Sequence, residues 1–139
     1  MKRLENKVAV VTGVGSGIGK AIANAFADEG ASLGIGDINE NLLSKTTDSL
    51  TTKTKNIMSI KTDVSSEDQV KKLIDETVNS YGKLDIIVNN VSVAIGGYPI
   101  TDMSNEDWQK IIAINFSSVF YGCKHSIPHL KNNKGVLIH

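Results

Sequence analysis

The sequence has little cysteine and no surplus of charge of either sign. Its single cysteine, Cys123, cannot form an internal disulfide or begin a thiolate metal site, which is typical of a reducing compartment. Fifteen basic residues balance fifteen acidic ones, so no net field would attract nucleic acid or anionic lipid. The apolar run at residues 8–11 is far too short for the core of a signal peptide. We therefore predict a cytoplasmic protein with neither a nucleic-acid partner nor a membrane partner.

What is present is the composition and periodicity of an ordinary globular protein. Hydrophobic residues at 40% and charged residues at 22% of 139 exclude a disordered or collagen-like chain and predict one domain over residues 1–139. Short apolar runs predict strands, and apolar residues three and four apart predict helices between them. The predicted strands are 8–11, 31–36, 57–61, 84–88 and 136–138, and the predicted helices are 18–29, 40 to about 54, one capped by Ser65 or Ser66, and a long one over 104–130 that a break could interrupt. This alternation predicts an α/β fold, a doubly wound parallel sheet with strand order 3-2-1-4-5.

A glycine-rich turn joins the first predicted strand to the first predicted helix. Gly13 allows a sharp turn, Gly17 allows the backbone to approach a pyrophosphate, and Gly19 allows the helix to pack closely on the strand. Ser16 and Ile18 flank Gly17, where free N–H groups and the positive end of the helix would face an anion. The turn therefore predicts a dinucleotide site at these five residues. A structural glycine loop without a ligand is the alternative.

Asp37 ends the second predicted strand, eighteen residues after Gly19. A carboxylate at this point can accept hydrogen bonds from the ribose hydroxyls of an adenosine, and it would repel a 2′-phosphate. No Lys or Arg at positions 14–16 or 38 offsets that repulsion. We therefore predict NAD as the cofactor, preferred over NADP. A surface aspartate that caps a turn is the alternative.

The glycine turn and three further groups of residues are similar to the motifs of a known protein family. The spacing of the turn, with three residues between its first two glycines, is similar to that of the short-chain dehydrogenase/reductases, which have a Rossmann-like fold. The matching positions are Thr12-Gly13-x-x-x-Gly17-Ile18-Gly19, Asp63-Val64, Asn89-Asn90 and Asn115. The resemblance implies that Asp63 and Val64 border the adenine and that Asn90 lies against the adenine ribose. It also implies that Asn115 belongs to the catalytic set through a backbone kink and a bound water. Taken alone, Asp63 could be a helix-start residue and Asn90 a strand-end turn residue.

Two features depart from the family's pattern. The family usually has Ala-Gly where this chain has Val91-Ser92, which adds side chain beside the cofactor. The catalytic Ser, expected after the fifth strand, and the Tyr-x-x-x-Lys pair of a later helix are absent, since none of Tyr81, Tyr98 and Tyr121 has Lys four residues on. Hydride transfer in the family needs a phenol of lowered pKa to exchange a proton with the substrate. We therefore expect a fold truncated after its fifth strand.

The resemblance implies an NAD-dependent oxidoreductase that transfers hydride between NAD and an alcohol or carbonyl substrate. Since Asn115 is the only member of the catalytic set in the sequence, we expect this chain to be inactive alone. The alternative is a nucleotide-binding or oligomerising module without catalysis. No metal site is predicted, because His125 and His129 lie four apart without the Glu of a His-Glu-x-x-His motif.

The long predicted helix carries more apolar side chains than one sheet can cover. Its apolar residues are Ile111, Ile112, Phe116, Val119 and Phe120. The strand at 136–138 would also present an unpaired edge to solvent. We therefore expect a homo-oligomer formed through the 104–130 helix, the terminal strand or both.

Overall fold

A five-stranded parallel sheet with helices on both faces forms the architecture of residues 2–139, which the computed structural model describes. The strands are β1 (Val8–Thr12), β2 (Ser32–Asp37), β3 (Ile57–Lys61), β4 (Ile86–Val88) and β5 (Val136–Ile138). The helices are α1 (Gly17–Asp28), α2 (Glu40–Thr51), α3 (Glu67–Tyr81), α4 (Asn105–Ile112) and α5 (Ser118–Asn133), with a 3-10 turn at Ile100–Asp102 and a π-helical segment at Ala113–Ser117. The strand order is β3-β2-β1-β4-β5, which confirms the predicted topology and fold class.

The hydrophobic core has two layers, one on each face of the sheet, and β1 is buried between them. One layer packs α1 and α2 on the sheet, through residues that include Ala23, Ala27 and Leu50. The other packs α3 and α5 on the opposite face, through residues that include Ile74 and Leu130. This arrangement explains why the β1 sequence is continuously apolar rather than alternating. No helix in residues 2–139 is both long and apolar enough to cross a membrane.

Some element boundaries differ from the prediction. β4 begins at Ile86 rather than at residue 84, because the carboxylate of Asp85 accepts the Val8 N–H at 2.9 Å and takes the place of a strand partner. Ser66, not Ser65, precedes α3, and its side chain makes no capping hydrogen bond. α2 ends at Thr51, before the predicted end near residue 54.

The long predicted helix is interrupted rather than continuous. Ser104 caps α4 by accepting the Asp107 N–H at 3.0 Å, as expected from its sequence. The π segment then separates α4 from α5 with an i→i+5 hydrogen bond from the Ser118 N–H to the Ala113 carbonyl. Pro128 lies inside α5 without ending it, and α5 continues to Asn133.

Candidate functional site

The ends of β1, β2 and β4 meet at the carboxyl edge of the sheet and border an open cleft. This glycine cleft has a volume of about 440 Å³. Its lining residues are Gly13, Ser16, Gly17, Ile18, Asp37, Asn90, Val91 and Ser92. Six of these eight residues are in the predicted cofactor site, so the fold brings together residues that lie far apart in the sequence. Gly19, also predicted, is buried beneath the cleft.

Gly13, Gly17 and Gly19 lack a side chain for different physical reasons. Gly13 and Gly17 have positive φ angles of +71° and +54°, which favour glycine. A Cβ on Gly19 would lie 2.1 Å from the Gly13 carbonyl oxygen, so α1 contacts the turn through backbone atoms. A Cβ on Gly17 would meet no atom within 4 Å, which leaves open space directly in front of the backbone.

The first turn of α1 contains no acidic residue. α2, α3 and α4 each have one there, whereas α1 and α5 have none. Ser16 precedes α1 without capping it through its side chain. Within residues 2–139, the backbone N–H groups of Gly17, Ile18 and Gly19 have no acceptor. A positive helix end with free donors beside open space has the chemistry to bind a phosphate group.

Asp37 accepts a hydrogen bond from the glycine turn and also lines the glycine cleft. Its Oδ2 accepts the Gly15 N–H at 2.8 Å, and its Oδ1 accepts the Asn39 N–H at 2.8 Å. The alternative interpretation of Asp37 as a turn-capping residue therefore holds alongside its position in the cleft. Each carboxylate oxygen can accept more than one hydrogen bond, so ribose hydroxyls still have acceptors here.

An apolar slot adjoins the glycine cleft at the ends of β2 and β3. It has a volume of about 140 Å³ and includes Ile38, Thr62, Asp63, Val64 and Ile114 in its lining. The side chain of Asp63 stabilises the turn that precedes α3, because its Oδ1 accepts both the N–H and the hydroxyl of Ser65, at 2.9 and 2.6 Å.

Asn90 joins the end of β4 to the glycine turn. Its Nδ2 donates to the carbonyls of Thr12 at 3.0 Å and Gly13 at 3.3 Å, and its backbone N–H donates to Thr12 Oγ1 at 3.1 Å. Val91, which replaces a smaller residue of the family's pattern, packs over Gly13, with Cγ2 at 2.9 Å from where a Gly13 Cβ would stand. The sequence prediction missed Thr12 as a turn anchor. Its place in the motif Thr12-Gly13-x-x-x-Gly17-Ile18-Gly19, at the end of β1, is the sequence signal for that role.

Asn115 lies within the π segment, so the backbone kink implied by the resemblance is present. Its Oδ1 accepts the Val93 N–H at 2.7 Å and its Nδ2 donates to the Val93 carbonyl at 2.7 Å. This paired contact holds the segment after β4 against the helix. Asn115 also lines a second cleft, the strand-end cleft, of about 440 Å³, which includes Asn89, Ser92 and Val119.

Comparison with known proteins assigns this architecture to a family. The sequence model of the family described as short chain dehydrogenase matches residues 7–139. The chain belongs to the short-chain dehydrogenase family. An uncharacterized oxidoreductase of Bacillus subtilis is 37% identical over 138 residues, which are 99% of this chain and 50% of the relative. The 3beta-hydroxysteroid dehydrogenase 2 of Eggerthella lenta is 34% identical over 137 residues, 97% of this chain and 53% of that protein.

Two solved structures have a similar fold. A short chain dehydrogenase/reductase from Burkholderia phymatum in complex with NAD is similar with a TM-score of 0.91 at 32% identity, over 99% of this chain and 48% of that one. A 3-ketoacyl-(acyl-carrier-protein) reductase from Brucella melitensis complexed with NADH has a TM-score of 0.87 at 29% identity, over 94% of this chain and 52% of that one. This short-chain dehydrogenase chain thus spans about half the length of the relatives it matches.

The tyrosines of this short-chain dehydrogenase chain lie away from both clefts and the slot. None of Tyr81, Tyr98 and Tyr121 is in the lining of these three spaces within the described residues. Burial raises the pKa of Tyr81 above its ordinary value, and the hydrogen bond to Asp107 raises the pKa of Tyr98. Both shifts oppose the formation of a phenolate.

The remaining reactive side chains form no second site. His125 Nε2 lies 2.9 Å from Glu67 Oε1, which also accepts from Lys124 Nζ at 2.7 Å. Hydrogen bonds from Lys124 and His125 lower the pKa of Glu67. No group of three His, Cys, Asp or Glu residues in the described chain could hold a metal ion. Burial raises the pKa of the Cys123 thiol, which favours the unreactive protonated form.

Proposed function

We propose that this chain binds NAD, with the pyrophosphate in the glycine cleft and the adenosine toward the apolar slot. The observation that carries the proposal is the amino end of α1, whose free N–H groups face open space in front of Gly17. The NAD and NADH complexes of the two similar structures support the assignment.

Each part of the proposed site has a chemical role in holding the dinucleotide. The N–H groups from Gly17 to Gly19, with Ser16 beside them, donate to phosphate oxygens. Asp37 accepts from the adenosine ribose, and the Asn90 Oδ1 is a further acceptor beside it. Asp63 and Val64 border the adenine. When bound, NAD supplies the hydride acceptor of an oxidoreductase that acts on an alcohol or carbonyl substrate.

We further propose that NAD binds in preference to NADP. A 2′-phosphate on the adenosine ribose would bring negative charge against the Asp37 carboxylate. The residues that line the glycine cleft and the apolar slot include no Lys or Arg to neutralise it.

We also propose that residues 1–139 bind cofactor without transferring hydride by themselves. Proton exchange with the substrate is worth roughly 10²- to 10⁴-fold in rate, and it needs a positioned acid–base group. The sequence contains no Tyr-x-x-x-Lys pair, and Asn115 uses its amide to hold Val93. A nucleotide-binding or oligomerising module without catalysis is the second candidate function.

Titration calorimetry with ADP-ribose, NAD and NADP tests the proposed function. We expect ADP-ribose and NAD to bind and NADP to bind about tenfold more weakly, because one nearby like charge disfavours it by about 1 kcal/mol or more. Asp37→Asn should reduce the ratio of the NAD affinity to the NADP affinity. The matched control Asp48→Asn removes the same charge from the exposed side of α2 and should leave the ratio unchanged.

Two outcomes would contradict these proposals. Equal or tighter binding of NADP to the unmodified chain would refute the role of the Asp37 carboxylate. Steady NADH production from NAD and an alcohol by the pure chain, lost on Asn115→Ala, would refute the absence of hydride transfer.

We propose, finally, that the chain forms a homo-oligomer through α4 and α5, the β5 edge or both. Large apolar side chains on these helices and on the π segment between them are exposed: 48% for Trp108, 74% for Phe116 and 57% for Phe120. Val136 and Ile138 on the edge strand are also exposed. Exposed apolar surface of this kind is typical of subunit contacts.

Light scattering across a dilution series tests the association. We expect a dimer or larger species, and a shift toward monomer in Phe120→Asp if the helices form the contact. Asn132→Asp adds the same charge at an exposed polar position of α5 and is the matched control. A folded wild-type monomer at micromolar concentration would exclude the association.

A further inference from the structure

Thr46 is a fully buried polar residue of α2 that contacts the glycine turn. Its side chain is 0% exposed, and its hydroxyl donates to the Val14 carbonyl at 3.0 Å. Leu42, one helical turn earlier on the same face, has its Cβ at 2.9 Å from where a Gly15 Cβ would stand. α2 therefore packs directly on the part of the turn between Gly13 and Gly17.

The peptide unit between Val14 and Gly15 is held at both of its ends. Thr46 donates to its carbonyl oxygen, and Asp37 Oδ2 accepts from its N–H at 2.8 Å. Because a peptide unit is planar, hydrogen bonds at its opposite ends fix its rotation about the chain axis. The orientation of this unit sets the direction in which the chain continues through Ser16 into Gly17.

We propose that Thr46 is a positioning residue for the glycine turn, which it holds in the geometry that presents the α1 N–H groups to a pyrophosphate. The proposal rests on the proposed NAD-binding function for its ligand. Thr46 does not line the glycine cleft, so it acts through the Val14–Gly15 peptide unit and not by contact with the cofactor.

Packing alone is the competing role for Thr46. Valine has nearly the same shape as threonine, so Thr46→Val retains the packing and removes the hydroxyl. The Val14 carbonyl would then be buried without its donor, since Val14 is itself 0% exposed. A buried, unpaired carbonyl favours any rearrangement of the turn that restores a hydrogen bond.

Thr77 offers a matched control. It is also 0% exposed, and its hydroxyl donates to the Leu73 carbonyl within α3, away from the turn. Thr77→Val therefore makes the same chemical change at the same burial. If buried hydroxyls act only through overall stability, Thr46→Val and Thr77→Val should affect the turn equally.

The experiment measures two quantities on the full chain of each variant. The first is ADP-ribose affinity by calorimetry. The second is the hydrogen-exchange protection of the Gly15 amide in the ligand-free protein, compared with global stability from urea unfolding. We expect Thr46→Val to lose about tenfold in affinity and to lose Gly15 protection beyond the global change. Thr46→Ser should retain both quantities, and Thr77→Val should change neither selectively.

Gly15 protection and ADP-ribose affinity at wild-type levels in Thr46→Val would overturn the proposal, as would equal effects in Thr77→Val. If the wild-type chain fails to bind ADP-ribose, the proposed function fails, while Gly15 exchange still decides the role of Thr46. Should Thr46→Val not fold, Thr46→Ser and Thr46→Ala replace it, because these two variants differ by the hydroxyl alone.

Discussion

We expect Gly19→Ala to lower the free energy of unfolding by about 3 kcal/mol, the upper part of the range for a side chain forced into filled space. The added methyl carbon would lie 2.1 Å from the Gly13 carbonyl oxygen and 2.5 Å from Asn90 Nδ2. Neither atom can move freely, because Asn90 Nδ2 donates to the carbonyls of Thr12 and Gly13. The methyl group therefore separates α1 from the turn or breaks the contact between β4 and β1.

Urea unfolding followed by circular dichroism measures this loss of stability. Gly96→Ala is the matched control, because a Cβ at Gly96 would meet no atom within 4 Å and its φ is not positive. We expect that variant to remain within about 0.5 kcal/mol of wild type, as surface substitutions usually do. Equal stability of the two variants would mean that α1 does not pack on the turn through Gly19.

Gly17→Val should abolish the binding of ADP-ribose while the chain remains folded. A side chain at Gly17 would meet no protein atom within 4 Å, so it would occupy the glycine cleft itself. Displacing the pyrophosphate from two N–H donors removes charge-assisted hydrogen bonds of about 1.5–3 kcal/mol each, which amounts to a hundredfold or greater loss of affinity. The positive φ of +54° adds backbone strain of about 1–2 kcal/mol to the folded state.

Gly82→Val is the control that distinguishes a loss of ADP-ribose binding from the effect of backbone strain. Gly82 has a φ of +77° and open space around a Cβ, but it ends α3 far from the cleft in sequence and fold. The two variants should unfold at similar urea concentrations and differ only in calorimetric titration with ADP-ribose. Binding that survives in folded Gly17→Val would place the pyrophosphate elsewhere.

Local patterns in the chain predicted the topology, and with the family resemblance they predicted six of the eight residues that line the glycine cleft. The buried apolar run at β1 and the helical spacing in α1 and α3 predict alternating strands and helices, and parallel crossovers then restrict the order of the strands. Because parallel strands end at one edge of the sheet, residues that follow separate strands, such as Asp37 and Asn90, had to meet there. The glycine turn could also be recognised from the sequence, because glycine is favoured wherever φ is positive or atoms approach closely.

Other features depend on contacts between distant segments, which no local pattern contains. The start of β4 was predicted wrongly because the Asp85 carboxylate accepts the Val8 N–H across the sheet. The paired hydrogen bonds of Asn115 to Val93 and the donation from Thr46 to Val14 likewise join residues 22 and 32 positions apart. A buried threonine in a weak helix looks in sequence like any other threonine. Its partner is decided by how α2 packs on the turn, and that packing is determined by the tertiary structure.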